Sequence, residues 1–168
     1  MQPVRIAVLT VSDTRTEATD TSGALLAGRL EEAGHVLADR TLIRDDVAVI
    51  RKQIIDWCDD QQIEVILITG GTGLTGRDVT VDVVEALYKK AIPGFGELFR
   101  MLSFKDIGTS TIQSRASGGL ARGNTLIFCL PGSTGACRLA WDDILVHQLN
   151  SEQRPCNLVH LMPRFSEQ

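Results

Sequence analysis

Short apolar runs alternate along the chain with segments in which apolar residues recur every three or four positions. Residues 4–11 (VRIAVLTV) are almost wholly apolar and partly β-branched, which indicates a strand buried on both faces. Leu26, Leu30 and Ala33 then follow at helical spacing, and Gly34 stands where a helix C-terminus favours glycine. This part of the chain therefore predicts one β-α unit.

The same pattern of a strand followed by a helix recurs twice. Residues 36–43 and 64–69 are further strand candidates, and each precedes an apolar stripe at helical spacing. The stripes consist of Val47, Ile50, Ile54 and Trp57 after the second strand, and of Val83, Val84 and Leu87 after the third. Three successive β-α units predict a parallel sheet covered by helices on both faces, with residues 4–11 and 64–69 as central strands.

The second half of the chain departs from this repeat. Residues 93–96 (PGFG) predict a turn that interrupts regular secondary structure, and residues 97–106 predict a helix after it. Residues 117–121 and 125–130 predict two strands joined by a tight turn, because glycine and asparagine lie between them. We therefore expect residues 1–168 to form a single α/β domain. The expected architecture is a three-layer α/β/α sandwich whose mostly parallel sheet has one antiparallel strand.

Composition places the chain among ordinary globular domains and limits its partners. Its 168 residues are 43% apolar and 23% charged, and a chain of this length buries enough surface to fold without disulfides or a structural metal. The net charge of −4 gives no basic field for a nucleic-acid backbone, so we expect no nucleic-acid partner. Because the chain has neither a membrane-length apolar run nor a signal-peptide layout at its start, we expect a cytoplasmic protein without membrane contact.

The loops that follow the predicted strands are rich in small residues, hydroxyls and carboxylates. They comprise residues 12–14, 44–46, 70–78 and 131–133. In an open α/β sheet, ligands bind beyond the carboxyl ends of the strands. These loops are therefore the candidate ligand site.

The strongest local signal is the segment 70–76 (GGTGLTG), which lies between a predicted strand and a predicted helix. Glycine lets the backbone approach an anion closely and point N–H groups at it, which favours a phosphate ligand. The segment also satisfies the G-x-G-x-x-G dinucleotide fingerprint, although it follows the third strand and lacks the acidic strand end expected about 20 positions on. A P-loop is disfavoured because Arg77 and Asp78 replace its lysine and hydroxyl. A tight turn that binds nothing is the remaining alternative.

Three aspartates, Asp45, Asp46 and Asp78, come directly after or near the ends of predicted strands. One or two of them could bind a divalent cation that bridges nucleotide phosphates. The alternative is that they stabilise helix N-termini through the macrodipole, and this alternative is favoured for Asp46. Three more residues could contact phosphate, although a surface arginine and a helix N-cap explain them equally well: Ser114, Arg115 and Ser133.

Taken in order, six segments of the chain resemble the MoaB/MogA family of molybdenum cofactor biosynthesis proteins. Each segment alone is modestly specific, but their order along nearly the whole chain is highly specific. The segments are IAVLTVSDTR at 6–15, DTSG at 20–23, ITGGTGLTGRDVT at 68–80, PGFGELFRMLSF at 93–104, IGTSTIQSRA at 107–116 and LIFCLPGSTGACRLAW at 126–141.

The resemblance implies an α/β/α protein that assembles as trimers or pairs of trimers and binds molybdopterin, a pterin dithiolene. It also implies adenylyl transfer from ATP to molybdopterin, and other enzymes of the same pathway as further partners. The two functional carboxylates of the family fall on Asp45 and Asp78. The positions implied for binding molybdopterin and the phosphates of ATP are Ser12, Asp13, Thr69, Gly70, Gly71, Thr72, Gly73, Ser103, Ser114, Arg115, Pro131, Gly132 and Ser133.

The chemistry of this reaction favours Asp45 and Asp78 as Mg2+ ligands over proton acceptors. A phosphate monoester with a second pKa of about 6 is largely deprotonated at neutral pH, so no general base is needed. Two phosphorylated substrates instead need charge neutralisation. Residues 79–82 (VTVD) and 131–134 (PGST) stand where active adenylyltransferases usually carry VTPE or VTPD and PGxP. The alternative is therefore a catalytically silent molybdopterin-binding or scaffolding protein of the same pathway.

Overall fold

Six strands form one sheet in the computed structural model, which describes residues 1–167. They are β1 (Arg5–Val11), β2 (Val36–Ile43), β3 (Val65–Thr69), β4 (Tyr88–Ala91), β5 (Ser117–Ala121) and β6 (Leu126–Leu130). From edge to edge the order is β2-β1-β3-β6-β5-β4. Strands β2, β1, β3 and β6 are mutually parallel, whereas β5 runs antiparallel to both of its neighbours.

Helices cover both faces of the sheet. They are α1 (Thr21–Glu32), α2 (Val47–Asp59), α3 (Thr80–Glu85), α4 (Pro93–Ile107), α5 (Thr134–Ala140) and α6 (Val146–Gln148), with a π-helical segment at Trp141–Leu145 and 3-10 helices at Gly108–Gln113, Arg122–Asn124 and Met162–Arg164. One face packs Leu26 of α1 with Phe99 of α4, and the other packs Ile54 of α2 with Val84 of α3. In the described part of the chain, no helix combines the length and apolar character that crossing a membrane requires.

The predicted layers and central strands are confirmed. Strands β1 and β3 both lie inside the sheet, and every residue of β3 is buried, as expected for a strand covered on both faces. Strands β5 and β6 form the predicted hairpin, so β5 is the one antiparallel strand of the six. Because β1, β3 and β6 are adjacent and parallel, their carboxyl ends lie side by side at one edge of the sheet.

The prediction that residues 93–96 interrupt regular secondary structure is wrong. Helix α4 begins at Pro93, where the fixed φ of proline suits the first helical position and an N–H group is not needed. The pattern of apolar residues also does not reveal β4. This strand is only four residues long, contains two lysines and lies at the edge of the sheet, where exposed side chains take the place of an apolar run.

A buried aspartate connects β1, β2 and α1 close to the loops. Asp20 is 3% exposed and caps α1 by accepting a hydrogen bond from the Gly23 N–H at 2.9 Å. Its Oδ2 accepts hydrogen bonds from Thr10 Oγ1 at 2.8 Å and from Arg40 Nη2 at 2.9 Å. Burial opposes ionisation of this carboxyl, but the three donors outweigh it and hold the pKa of Asp20 below its ordinary value.

We expect Asp20→Ala to lower the free energy of unfolding by about 2–4 kcal/mol, because it removes a helix cap and the acceptor of two further hydrogen bonds. Since the folded-state pKa is lowered, the contribution of Asp20 is fully present above its unfolded pKa of about 3.9 and is lost as the pH falls through the folded pKa. Urea unfolding of both proteins from about pH 7 downwards checks this. If the difference in unfolding free energy between the wild-type protein and Asp20→Ala stays constant as the pH falls, this expectation is contradicted.

Candidate functional site

Four loops meet at the carboxyl ends of β2, β1, β3 and β6 and enclose a cavity of about 470 Å³. Each loop directly follows its strand, so the strand order sets which loops are neighbours. The cavity is lined by Thr10, Val11, Ser12, Asp13, Thr14, Arg15, Asp45, Thr69, Gly70, Gly71, Arg77, Asp78, Gly132 and Ser133. Most of the predicted site residues therefore surround this one cavity.

The backbone after β3 requires glycine at two consecutive positions. Gly70 and Gly71 both have positive φ angles, of 97° and 64°. A Cβ on Gly70 would overlap the carbonyl oxygen of Val11, and a Cβ on Gly71 would overlap Thr80 Oγ1 and lie 2.8 Å from Asp45 Oδ1. The absence of side chains therefore lets this turn pass between β1 and α3 and keeps its backbone open to the cavity.

Three carboxylates line the cavity close to one another. Asp13 Oδ2 accepts hydrogen bonds from Arg77 Nη2 at 2.6 Å and Nε at 2.9 Å, and this arginine holds the pKa of Asp13 below its ordinary value. Asp13 Oδ1 accepts a hydrogen bond from the Asp45 N–H at 3.2 Å. Burial, together with the charges of Asp13 and Asp78, raises the pKa of Asp45. The Asp45 carboxylate therefore lies in an environment that favours a cation or a proton.

Asp78 is held differently from Asp45. Its Oδ2 accepts hydrogen bonds from Thr75 Oγ1 at 2.6 Å and from the Thr75 N–H at 2.9 Å. The Thr75 hydroxyl lowers the pKa of Asp78 despite an opposing effect of burial. As the pH falls, Asp45 is therefore protonated before Asp78.

Arg115 forms hydrogen bonds with the glycine-rich loop and with α3. Its Nε donates to the Thr72 carbonyl at 3.2 Å, its Nη2 donates to the Asp78 carbonyl at 2.8 Å, and its Nη1 pairs with Asp82 at 3.1 Å. All three nitrogens are thus engaged by the loop and by α3. Arg115 lines a separate cavity of about 340 Å³ near the start of α4, so the structure does not place it with the predicted phosphate-binding residues.

Other predicted positions lie outside the lining of the first cavity. The Pro131 carbonyl accepts a hydrogen bond from Thr69 Oγ1 at 3.1 Å. The remaining positions outside the lining are the buried Thr72, Gly73 beside Asp78, Ser103 on α4 and Ser114. Ser133 does line the cavity, and it also caps α5 by accepting from the Ala136 N–H. Asp46 caps α2 by accepting from the Val49 N–H at 2.9 Å, which confirms the structural alternative for this residue.

A divalent cation fits the oxygen atoms beside Asp45. Thr80 Oγ1 is buried without a hydrogen-bond partner among residues 1–167, and it lies close to Gly71, as does Asp45 Oδ1. Carboxylate and hydroxyl oxygens are the ligands that Mg2+ prefers, and Mg2+ commonly takes one or two carboxylates and completes its shell with water and substrate phosphates. Within residues 1–167, no group of three or more His, Cys, Asp or Glu is arranged to hold a metal by itself. The donor set therefore suits a cation shared with a substrate.

Arg15 is a cavity residue that the sequence reasoning missed. It follows Thr14 in the loop after β1 and lines the same cavity as Asp45 and Asp78. The signal that could have found it is its position, because a cation that close to a strand end lies at the ligand-binding edge of a parallel sheet.

Comparisons with known proteins agree in identifying the family. Residues 7–151 match the family model described as a probable molybdopterin binding domain. Molybdenum cofactor biosynthesis protein B of Escherichia coli K12 is 50% identical over 155 residues, which cover 92% of this chain and 91% of that protein. The chain belongs to the MoaB/MogA family of molybdenum cofactor biosynthesis proteins. Another MoaB/MogA relative, molybdenum cofactor biosynthesis protein B of Bacillus subtilis, is 44% identical over 147 residues, 87% of this chain and 86% of that protein.

Solved structures extend the likeness to the MoaB/MogA fold as a whole. A crystal structure of molybdenum cofactor biosynthesis protein B is 41% identical and has a TM-score of 0.88 over 99% of this chain and 98% of that chain. The tungsten cofactor synthesizing protein MoaB of Pyrococcus furiosus is 27% identical, with a TM-score of 0.80 over 98% of both chains. The α/β fold predicted from the sequence is therefore that of the MoaB/MogA family.

Proposed function

We propose that this MoaB/MogA protein binds molybdopterin and ATP and transfers the adenylyl group of ATP to the terminal phosphate of molybdopterin. The observation that carries the proposal is the meeting of Asp45, Asp78 and the glycine turn 70–71 around one cavity. At about 470 Å³ this cavity is within the usual range of about 300–1,000 Å³ for small-molecule sites. Its backbone and carboxylates suit phosphorylated ligands that arrive with a cation.

The proposed reaction depends on alignment and on charge neutralisation. The terminal phosphate oxygen of molybdopterin attacks the α-phosphorus of ATP, the bond from that phosphorus to the bridging oxygen breaks, and pyrophosphate leaves. The attacking phosphate needs no general base, because its second pKa is about 6. The side-chain-free backbone at Gly70 and Gly71 allows a phosphate group to approach the N–H groups of the turn.

Asp45, Asp78 and the Thr80 hydroxyl would hold Mg2+, which would supply positive charge between the phosphates of the two substrates. Two observations support this assignment. Thr75 fixes the ionised Asp78 carboxylate, and Thr80 Oγ1 has no protein partner in the described residues. Without a cation, the carboxylates would repel each other and both substrates.

We expect Mg2+ to raise the melting temperature of the wild-type protein and to leave that of Asp45→Asn unchanged. The raised pKa of Asp45 means that its ionisation opposes folding above that pKa, so Asp45→Asn should be at least as stable as wild type without Mg2+. Thermal unfolding with and without MgCl2 checks this prediction. Asp46→Asn is the matched control, since asparagine also caps a helix and Asp46 does not line the cavity. An equal Mg2+ response in Asp45→Asn and wild type would contradict the assignment.

A catalytically silent molybdopterin-binding or scaffolding protein is the second candidate function. It is favoured by residues 79–82 and 131–134, which depart from the motifs of active adenylyltransferases. Incubation with molybdopterin, ATP and Mg2+, followed by direct detection of adenylylated molybdopterin and pyrophosphate, distinguishes the two. Product formation supports the enzyme. If the protein binds molybdopterin but forms no product and shows no nucleotide affinity at any Mg2+ concentration, the proposal of an enzyme is replaced by that of a silent protein.

We propose further that the protein acts in the cytoplasm as a trimer or a pair of trimers, in which α4 and the 3-10 helix after it contact another subunit. The large apolar side chains exposed there are Leu98, Met101, Phe104, Ile107 and Ile112. Exposed apolar groups that cluster in this way are typical of interaction surfaces.

We expect Phe104→Glu to shift the assembly towards monomers, because the substitution places a charge among those apolar side chains. Light scattering at micromolar concentration measures the effect. Val49→Glu is the control, since Val49 is a comparably exposed apolar residue on α2, which covers the opposite face of the sheet. A wild-type protein that is already monomeric at this concentration would reject the proposed assembly.

A further inference from the structure

Arg15 is fixed at the wall of the 470 Å³ cavity by contacts from three segments. Its Nη2 donates to the Gly132 carbonyl at 3.2 Å, and its Nη1 lies 3.4 Å from both Thr21 Oγ1 and Ser22 Oγ at the start of α1. Its backbone N–H donates to Ser12 Oγ at 3.1 Å. The guanidinium group is therefore positioned before any ligand arrives.

The side-chain partners of Arg15 are neutral, which distinguishes it from Arg77, the other arginine in the cavity lining, and from Arg115 and Arg40 nearby. Arg77 pairs with Asp13, Arg115 with Asp82 and Arg40 with Asp20. In contrast, no carboxylate among residues 1–167 lies within 4.0 Å of the Arg15 guanidinium, and its Nε takes part in no hydrogen bond with these residues. Arg15 is half-buried, so its positive charge is only partly solvated. Such a group offers charge-assisted hydrogen bonds to an anion.

The polar groups around Arg15 differ from those around the carboxylates. Asp13, Asp45 and Asp78 contribute carboxylates to the lining, and Arg77 there is paired with Asp13. Arg15 instead contacts Ser12 and Gly132, the residue before Ser133, and both serines line the same cavity. A phosphate group beside the three carboxylates needs a cation to offset their repulsion. A phosphate group beside Arg15 needs none.

We propose that Arg15, with the hydroxyl groups of Ser12 and Ser133, binds a phosphate group of a substrate without the help of a cation. This inference rests on the proposed function, because it assigns one of two phosphorylated substrates to the Arg15 side of the same cavity. The phosphate belongs either to the nucleotide or to molybdopterin, and the two sources have the same recognition chemistry. The phosphates that bind together with Mg2+ would then lie beside the carboxylates of Asp45 and Asp78.

Calorimetric titrations with inorganic pyrophosphate, AMP and molybdopterin, each without Mg2+, test the subsite. We expect Arg15→Gln to weaken binding of at least one of these probes by roughly 10- to 100-fold, the usual effect of losing a hydrogen bond to a charged group. Arg15→Lys should recover part of the affinity, since it keeps the charge but loses the planar fork. Arg138→Gln is the matched control, because Arg138 is an exposed arginine on α5 that does not line the cavity.

The pattern of losses identifies the source of the phosphate. A loss confined to AMP and pyrophosphate assigns the subsite to the nucleotide, and a loss confined to molybdopterin assigns it to the pterin substrate. The inference is overturned if Arg15→Gln binds every probe as tightly as wild type, or if wild type binds none of them. Thermal unfolding shows whether each variant is folded. If Arg15→Gln is misfolded, the affinities of Arg15→Lys for the same probes decide the test instead. These titrations do not require turnover. If the protein forms no adenylylated product but its phosphate binding still depends on Arg15, the proposed reaction is rejected and the phosphate subsite at Arg15 is supported.

Discussion

Asp78→Asn should lower the rate of adenylylated molybdopterin formation by roughly 10²- to 10³-fold, the scale observed when one preorganised electrostatic contact to a transition state is removed. Asparagine has nearly the same size as aspartate, and its carbonyl oxygen can accept the hydrogen bonds that Thr75 now donates to Oδ2. The substitution therefore removes the negative charge and one possible metal ligand while the loop keeps its shape. Molybdopterin binding should largely survive.

The control for this experiment is Asp46→Asn, which removes a charge nearby but keeps the cap of α2 and lies outside the cavity. Single-turnover measurements at saturating Mg2+ compare the chemical step in both variants. If Asp78→Asn forms product as fast as wild type, Asp78 is not a catalytic ligand. Its carboxylate would then serve only the turn that it forms with Thr75.

The position of the candidate cavity could be predicted because parallel strands end at a common edge. The apolar runs of β1, β3 and β6 and the strand pattern of β2 could be recognised from the sequence, and the polar residues that follow these strands had to meet once the strands were adjacent. This is how Asp45 and Asp78, which are far apart in the sequence, come to line one cavity. The short edge strand β4 escaped prediction because it has no apolar pattern of its own.

The roles of individual side chains were less predictable, since they depend on partners that are distant in sequence. Arg115 was expected to contact phosphate, yet its nitrogens bind the carbonyls of Thr72 and Asp78 and the carboxylate of Asp82. Arg15 reaches Gly132 across more than a hundred residues. No spacing rule connects such pairs, because tertiary packing alone brings them together.

The dinucleotide fingerprint at residues 71–76 shows how a sequence motif can match without its structural context. In a dinucleotide site the last glycine packs a helix against the strand, and the helix N-terminus faces the pyrophosphate. Here α3 begins only at Thr80, has six residues and starts without a side-chain cap. The loop between is closed instead by the hydrogen bonds between Thr75 and Asp78. The glycines at 70 and 71 therefore serve a turn of a different kind.

Gly73→Val should reduce the affinity for at least one phosphorylated ligand by roughly 10- to 100-fold, the usual effect of losing one interaction with a charged group. A Cβ at Gly73 would lie 2.7 Å from Asp78 Oδ2, so the carboxylate must move away from Thr75. The φ angle of Gly73 is not in the left-handed region, so valine meets no strain from a positive φ there, and we expect the domain to remain folded.

Gly76→Val provides the matched control for this prediction, since a Cβ at Gly76 would meet no atom within 4 Å. Calorimetric titration of both variants with ATP and Mg2+, and then with molybdopterin, measures the two affinities separately. A loss confined to ATP in Gly73→Val places the nucleotide beside Asp78, and a loss confined to molybdopterin places the pterin phosphate there. Equal affinities in Gly73→Val and Gly76→Val would mean that the position of the Asp78 carboxylate does not matter for binding. In that case the segment after β3 would be a chain reversal, and the phosphate groups would have to be held by other parts of the cavity.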